Sequence, residues 1–313
     1  MPSPGSKDER RTGLGYGLLA YFLWGAMPVY FLAMRPAGAV EIVGWRILFS
    51  LIVCVLLLAV TRAWGPFREV LRDRRTTLLF GLAGALIYVN WTVYVYASTT
   101  HQIVDAALGY FINPIVTVLL GVLVLRERLR PGQWVAVAVS ALAVVVLGVE
   151  AGRLPWISLA LAASFGLYGL VKKRANADVV SGLTLETAWL APVAAVQLLV
   201  VGVGPGLAFG TAGLFPTLMI ASAGIGTAVP LLLFAGSTRR LPLSVAGFLQ
   251  YVAPILQFLL GVAVLHEAMP PARLVGFALV WVALVLLVVE GLLATGRARR
   301  GRVVLPAAGV RDA

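Results

Sequence analysis

The segment PIVTVLLGVLVLRE at residues 114–127 recurs as PILQFLLGVAVLHE at residues 254–267, a separation of 140 residues. Nine of the fourteen paired positions are identical, and these include the proline, the glycine and the final glutamate. Apolar identities are common in a hydrophobic chain, but matched proline, glycine and glutamate are not. The same shift aligns Gly84 with Gly224, and a shift of 141 aligns Gly25 with Gly166. The pattern indicates an internal duplication that covers most of the chain.

The composition predicts a membrane protein. Of the 313 residues, 60% are hydrophobic and 12% are charged, and the mean hydropathy is +0.95. A soluble domain carries about 25% charged residues, so lipid is expected to be the solvent for much of this surface. Backbone polar groups in lipid must bond within helices, which predicts an all-α fold. Ten apolar stretches are long enough to span a bilayer: 14–34, 40–60, 77–98, 103–125, 132–149, 154–171, 182–202, 213–235, 243–265 and 272–293.

The distribution of positive charge supports the count of ten spans. If the N-terminus is cytoplasmic, 21 of the 25 Lys and Arg residues lie in cytoplasmic segments, three lie outside, and Arg46 lies within a span. Cytoplasmic loops of membrane proteins carry such an excess, and one span more or fewer would destroy the alternation. This predicts a multi-pass membrane protein with both termini in the cytoplasm. The net charge of +12 then points to anionic lipid headgroups, not nucleic acid, as the partner.

Segment 63–75, which has an apolar face and an arginine face, is expected to form a helix in the cytoplasmic interface, with a solvated loop as the alternative.

The number of spans in each half determines how the halves are related. Five spans is an odd number, so the second half must enter the membrane from the side opposite to the first. Two inverted five-helix repeats are therefore expected, related by an axis in the membrane plane. Such symmetry supplies the two related conformations that alternating access requires.

Several motifs resemble the RarD proteins, which belong to the EamA group of the drug/metabolite transporter superfamily. They are AYFLWG at 20–25, LGYFINP at 108–114 with Arg126-Glu127-Arg128 after it, ETAWLAP at 186–192 and FLQYVAP at 248–254. The resemblance covers about residues 13–293. It implies a ten-helix bacterial inner-membrane carrier whose family name is linked to chloramphenicol sensitivity, without a defined substrate. One departure is Trp45-Arg46, where family members carry His-Arg, so any role of that histidine is lost or altered here.

The expected organisation follows from the repeat and the resemblance together. Residues 1–12 are expected to form a disordered cytoplasmic tail and residues 295–313 a basic cytoplasmic tail. Between them lie two EamA-type five-helix repeats, 13–150 and 151–294.

Polar side chains within the spans are candidates for a substrate cavity. The fourth span carries Tyr110, Asn113 and Thr117 on one helical face, and the 140-residue shift places Gln250 and Gln257 in the ninth. Lipid disfavours such stripes, so they are expected to line a cavity, with contact between helices as the alternative. The remaining cavity candidates are Trp24, Asn90, Tyr94, Tyr168 and Tyr251, and Pro114 and Pro254 are expected to kink their helices.

Charged residues in the spans are candidates for ion pairing or coupling. Arg46 is expected to face the bundle interior and to pair with Glu41, with Asp105 or with an anionic substrate; a structural ion pair or a snorkelling arginine is the alternative. Glu41 and Glu186 lie at opposite mouths, which would suit proton coupling. The alternative is that both lie among headgroups or favour helix N-termini.

The sequence favours transport over catalysis. It contains no nucleotide-binding loop, nucleophile elbow or metal motif, and His101 and His266 are isolated, so neither an enzyme nor a cofactor or metal site is expected. Glu127 and Glu267 are expected to be solvated structural residues. The leading hypothesis is a secondary transporter, an exporter of small organic metabolites or drugs. The alternatives are a non-transporting structural or regulatory membrane protein, a lipid scramblase or a membrane enzyme.

Overall fold

A computed structural model describes residues 7–126, 129–152, 154–175 and 177–303, and the regular structure in these ranges is helical. The helices are α1 (Lys7–Leu32), α2 (Ala39–Val60), α3 (Trp64–Arg72), α4 (Arg74–Thr99), α5 (Ile103–Leu125), α6 (Pro131–Ala151), α7 (Trp156–Arg174), α8 (Val179–Val203), α9 (Leu214–Ala221), α10 (Ala223–Thr238), α11 (Leu243–Leu249), α12 (Val252–Leu259) and α13 (Pro271–Val303). A π-helical turn, Leu260–Val264, continues α12.

Nine helical segments of the described ranges are long and apolar enough to cross a membrane. Two of them join consecutive elements: α9 with α10 over Leu214–Thr238, and the region of α11, α12 and the π-helical turn over Gly247–Val264. The expected sixth span, 154–171, corresponds to α7, which is outside this set. This helix has nineteen residues, and Lys172, Lys173 and Arg174 make its last turn basic. By length and composition, the described chain therefore has nine spans where the sequence predicts ten.

Helical structure extends into both predicted tails, residues 1–12 and 295–313. α1 begins at Lys7, with Asp8 and Glu9 in its first turn, where negative charge favours the helix N-terminus. α13 continues to Val303. Residues 7–12 and 295–303 are thus helical, while residues 1–6 and 304–313 lie outside the described residues.

The helices form two compact units. The first comprises Met1–Asn113 and Pro155–Met269, and the second comprises Pro114–Leu154 and Pro270–Ala313. Each unit draws on both sequence halves, because helices of one half pack on helices of the other. The boundary within α5 falls between Asn113 and Pro114.

In the first unit, α1 packs on α10, α4 on α7, and α2 on α8, α4 and α10. Two glycines that the 140-residue shift aligns both allow close approach of backbones. A Cβ atom at Gly84 of α4 would lie 3.2 Å from the main-chain oxygen of Glu186 in α8. A Cβ at Gly224 of α10 would overlap the main-chain oxygen of Phe49 in α2. The repeat thus places glycine where two pairs of helices meet.

The second unit is built on contact between α6 and α13. Gly276 of α13 faces Leu147 of α6, and Gly132 of α6 faces the Glu290 carboxylate of α13, so a glycine on each helix brings it close to the other.

The basic segment 63–75 contains α3 and the cap of α4. Phe67 is buried with Leu58, Phe80 and Leu185, which anchors α3 to the first unit. Asp73 accepts hydrogen bonds from the Thr76 hydroxyl at 2.5 Å and the Arg75 main-chain nitrogen at 3.1 Å, so it caps α4. The hydrogen bond from Thr76 and those from main-chain nitrogens lower the pKa of this exposed carboxyl.

Candidate substrate site

Arg46 lies at the centre of a buried cluster in the first unit. Its side chain comes from α2 and is 5% exposed. Nε donates a hydrogen bond to the hydroxyl of Thr227 in α10 at 2.9 Å. The guanidinium carbon lies 4.1 Å from the ring centroid of Trp91 in α4 and 5.6 Å from that of Phe31 in α1. Four helices thus converge on one cation.

Glu41 does not neutralise this cation. Its two carboxylate oxygens accept hydrogen bonds from the main-chain nitrogens of Ala208 at 3.0 Å and Phe209 at 2.9 Å. Five residues separate Glu41 from Arg46, which places them about 140° apart around α2 and explains why their partners differ. Nη1 of Arg46 is fully buried and has no hydrogen-bond partner in the described part of the chain.

Five of the residues predicted to line a cavity belong to one polar network beside Arg46. Tyr94 donates from its hydroxyl to the main-chain oxygen of Trp24 at 3.2 Å. The Gln257 amide donates to the Tyr94 hydroxyl at 2.8 Å and to the same Trp24 oxygen at 3.3 Å. Tyr110 donates to the side-chain oxygen of Asn90 at 3.2 Å. The Tyr94 ring packs edge-on against the Tyr110 ring, with centroids 5.6 Å apart. This contact joins the hydrogen bonds around Tyr94 to the hydrogen bond between Tyr110 and Asn90.

This network is linked to the cluster around Arg46 by aromatic contact. The rings of Phe31 and Tyr94 meet edge to face with centroids 5.9 Å apart. Asn90 also donates to the main-chain oxygen of Leu161 and to the hydroxyl of Ser164, which ties α4 to α7. The site is therefore held by helices from both sequence halves.

The other predicted residues lie in different settings. Gln250 and Tyr251 are half-buried at the turn between α11 and α12, while Asn113 is half-buried and Thr117 exposed on α5. Asp105 is half-buried in the first turn of α5, and its main-chain oxygen accepts a hydrogen bond from Ser158 at 2.7 Å. Pro114 lies within α5, which continues through it, and Pro254 lies in α12.

A second charged cluster joins α7 and α8. Glu186 is 1% exposed and forms an ion pair with Lys172, with 2.8 Å between Nζ and Oε1. The Tyr168 hydroxyl donates to the same carboxylate, at 3.3 Å from Oε2. Lys172 lies just beyond the predicted sixth span, 154–171, although its spacing of four residues from Tyr168 places both on one face of a helix.

Glu267 is a further residue whose role differs from the expectation. It is half-buried, and its carboxylate accepts hydrogen bonds from the main-chain nitrogens of Ile103 at 2.6 Å and Val104 at 2.9 Å. These nitrogens have no partner within α5 because they lie in its first turn. Glu267 therefore caps α5 instead of lying in solvent. Its repeat-related counterpart, Glu127, lies outside the described residues.

Comparison with known proteins gives the relationships of the chain. A model of the EamA-like transporter family matches residues 11–149. Over 303 residues the chain is 47% identical to Protein RarD of Streptomyces exfoliatus, with 97% of this chain and 95% of that protein covered. It is also 39% identical over 302 residues to an uncharacterized transporter of Vibrio cholerae serotype O1, which covers 96% of this chain and 99% of that one. A crystal structure with 21% identity covers 93% of this chain and 98% of its own, with a TM-score of 0.54, which indicates a common fold.

Proposed function

This chain belongs to the RarD family of EamA-like transporters, and we propose that it is a secondary carrier that exports small organic metabolites or drugs. It is a multi-pass membrane protein and a transporter, not an enzyme. The observation that carries the proposal is the cluster of Arg46, Tyr94, Tyr110, Asn90 and Gln257 in the first unit. Polar and charged groups are expensive inside a membrane and are retained there for substrate or ion pathways.

The proposed mechanism is alternating access between two inverted repeats of five spans, in which α7 is the sixth span and brings the total to ten. Three structural features support the repeat. The packing of α1 on α10 matches that of α4 on α7 when the halves are exchanged. Gly84 and Gly224 both lie at close helix contacts. Arg126 and His266, 140 residues apart, both have left-handed backbones, with φ of 56° and 53°. An odd number of spans in each repeat makes the two halves inverted.

The proposed orientation places both termini in the cytoplasm and the protein in the bacterial inner membrane. The charge bias of the sequence supports it.

The proposed coupling residue is Glu186, and not Glu41. Both oxygens of Glu41 already accept hydrogen bonds from main-chain nitrogens, so a proton there would break charge-assisted bonds to the loop between α8 and α9. In the described part of the chain, the hydrogen bonds to the Glu186 carboxylate come from two side chains, Lys172 and Tyr168, which can change rotamer as a proton binds. In this proposal, Glu186→Gln abolishes the dependence of transport on the pH gradient and Glu41→Gln does not.

The test of transport begins with a comparison of metabolites in cells that express the chain and cells that do not. Compounds that differ are then offered to the purified protein in proteoliposomes, and counterflow is measured. Substrate-dependent counterflow is the expected result. Absence of flux for a broad metabolite panel would contradict the proposal and favour a non-transporting membrane protein, and lipid movement without solute flux would favour a scramblase.

A further inference from the structure

Arg46 is a permanent positive charge in an apolar helix. A guanidinium does not lose its proton in proteins, so burial cannot neutralise it as it can a lysine or a carboxylate. The side chain is 5% exposed, and the helix that carries it, Ala39–Val60, spans the membrane. A charge in this position requires a compensating group.

The partners of Arg46 among the described residues are all neutral. Thr227 accepts one hydrogen bond, and the rings of Trp91 and Phe31 provide cation–π contacts. Ring faces attract a cation much more weakly than a carboxylate at hydrogen-bond distance does. In the part of the chain that the structure describes, no carboxylate lies within ion-pair distance of Arg46.

The two buried carboxylates of the first unit bind elsewhere. Glu41 accepts hydrogen bonds from the main-chain nitrogens of Ala208 and Phe209, and Glu186 forms an ion pair with Lys172. One donor nitrogen of Arg46, Nη1, is fully buried and has no hydrogen-bond partner in the described residues. A buried donor of this kind costs free energy until an acceptor reaches it.

We propose that Arg46 binds the carboxylate of the substrate, and that the substrates of this carrier are monocarboxylates. This inference rests on the proposed transport function and names the substrate class for the same site. The charges balance: one buried cation compensates one negative charge, whereas a phosphate monoester would bring close to two. Nε is already bound to Thr227, so the carboxylate meets the Nη side of the guanidinium. The contact with the Trp91 ring, 4.1 Å from the guanidinium carbon, restricts the movement of the guanidinium.

The test compares whole cells that express the wild-type chain, Arg46→Gln, Arg46→Lys or Arg68→Gln. Arg68 is exposed on α3, so Arg68→Gln removes the same charge outside the site. Metabolites in cells and medium are measured by mass spectrometry. The carboxylates that depend on the wild-type chain are then assayed in proteoliposomes beside their carboxamides. Size-exclusion profiles of the detergent-solubilised variants show whether each protein folds.

The expected result is that wild type and Arg68→Gln redistribute carboxylates and do not carry the matching carboxamides. Arg46→Gln should lower the initial rate at low substrate by about 10- to 100-fold, the range for loss of hydrogen bonds to a charged group. Arg46→Lys keeps the charge but loses the planar fork, so its rate should fall between the two. If Arg46→Gln does not fold, Arg46→Lys tests the role of Arg46, and the comparison of carboxylate with carboxamide on the wild type tests the substrate class.

Three results would separate the possible errors. If the wild type redistributes only neutral or cationic compounds, or phosphate monoesters, the carboxylate assignment is wrong and the transport function stands. If folded Arg46→Gln carries carboxylates at the wild-type rate, Arg46 is not their binding group. If the wild type redistributes no metabolite and shows no counterflow, the proposed function itself fails.

Discussion

Removal of Lys172 should destabilise the protein more than neutralisation of Glu186, because the two side chains differ in burial. The side chain of Lys172 is 30% exposed, whereas that of Glu186 is 2% exposed. Lys172→Met leaves a buried carboxylate whose remaining hydrogen bond, from Tyr168, is long at 3.3 Å. Removal of one member of a buried pair costs about 3–5 kcal/mol, and we take about 3 kcal/mol because Lys172 is partly exposed.

Glu186→Gln should cost less. The new amide can still accept a hydrogen bond from Lys172 or Tyr168, and Lys172 can turn towards water, so the loss is that of charge assistance, about 1 kcal/mol. The double variant leaves no unpaired charge at positions 172 and 186, so its stability should lie above that of Lys172→Met.

The assay is the apparent unfolding temperature in one detergent at one heating rate, since unfolding of membrane proteins in detergent depends on scan rate when it is irreversible. At about 2–4 °C per kcal/mol, Lys172→Met should lower it by about 6–12 °C and Glu186→Gln by about 2–4 °C. Lys173→Met, at the exposed neighbouring position, is the matched control. Equal losses for Lys172→Met and Glu186→Gln would refute the reasoning.

Three further predictions concern stability. Gly224→Ala should lower the unfolding temperature sharply, because the new Cβ would overlap a main-chain oxygen of α2. Gly15→Ala is the control and should have little effect, because the space around its Cβ is open. Similar decreases in the unfolding temperature for both variants would contradict the packing argument. Glu267→Ala removes two hydrogen bonds between a carboxylate and the start of α5, each worth about 1.5–3 kcal/mol, so it should lower the unfolding temperature clearly. Glu267→Gln should lower it less. An unchanged unfolding temperature for Glu267→Ala would rule out the capping role. The folded state lowers the pKa of Asp73, so this carboxylate stabilises the protein above its unfolded-state pKa, and that stabilisation is lost as the pH falls through the lower folded-state pKa. The difference in unfolding temperature between wild type and Asp73→Ala should therefore shrink in acid. A difference that grows in acid would contradict the lowered pKa.

Hydropathy was sufficient to predict the helices because lipid imposes a length and forbids other backbone structure. The second predicted span, 40–60, became Ala39–Val60, and the seventh, 182–202, became Val179–Val203. The count was less secure. α7 ends in a basic turn and is not among the helices that are long and apolar enough to span a membrane. The alternation of positive charge between the two sides of the membrane, by contrast, requires a span at this place in the sequence.

The partners of the charged residues could not be predicted, because they lie far apart in sequence. No local sequence pattern links the four residues that meet around the guanidinium, which are Phe31, Arg46, Trp91 and Thr227. Glu267 binds nitrogens 163 and 164 residues away. Polarity within a span was the useful signal. It identified Arg46, Asn90, Tyr94, Tyr110 and Gln257, all of which belong to the buried clusters, but polarity alone does not determine which groups meet.

Trp45, where the RarD resemblance implies a histidine, lies on a different face of α2 from Arg46. Adjacent residues lie about 100° apart on a helix, so the two side chains point in different directions. Trp45 packs against Phe49 and Phe209, with centroids 5.5 Å and 4.4 Å away, and Phe209 is also one of the two residues that Glu41 holds. Position 45 thus helps to secure the loop between α8 and α9, while Arg46 faces α1, α4 and α10. A tryptophan in place of the histidine that the resemblance implies at position 45 therefore leaves the contacts of Arg46 with Thr227, Trp91 and Phe31 intact.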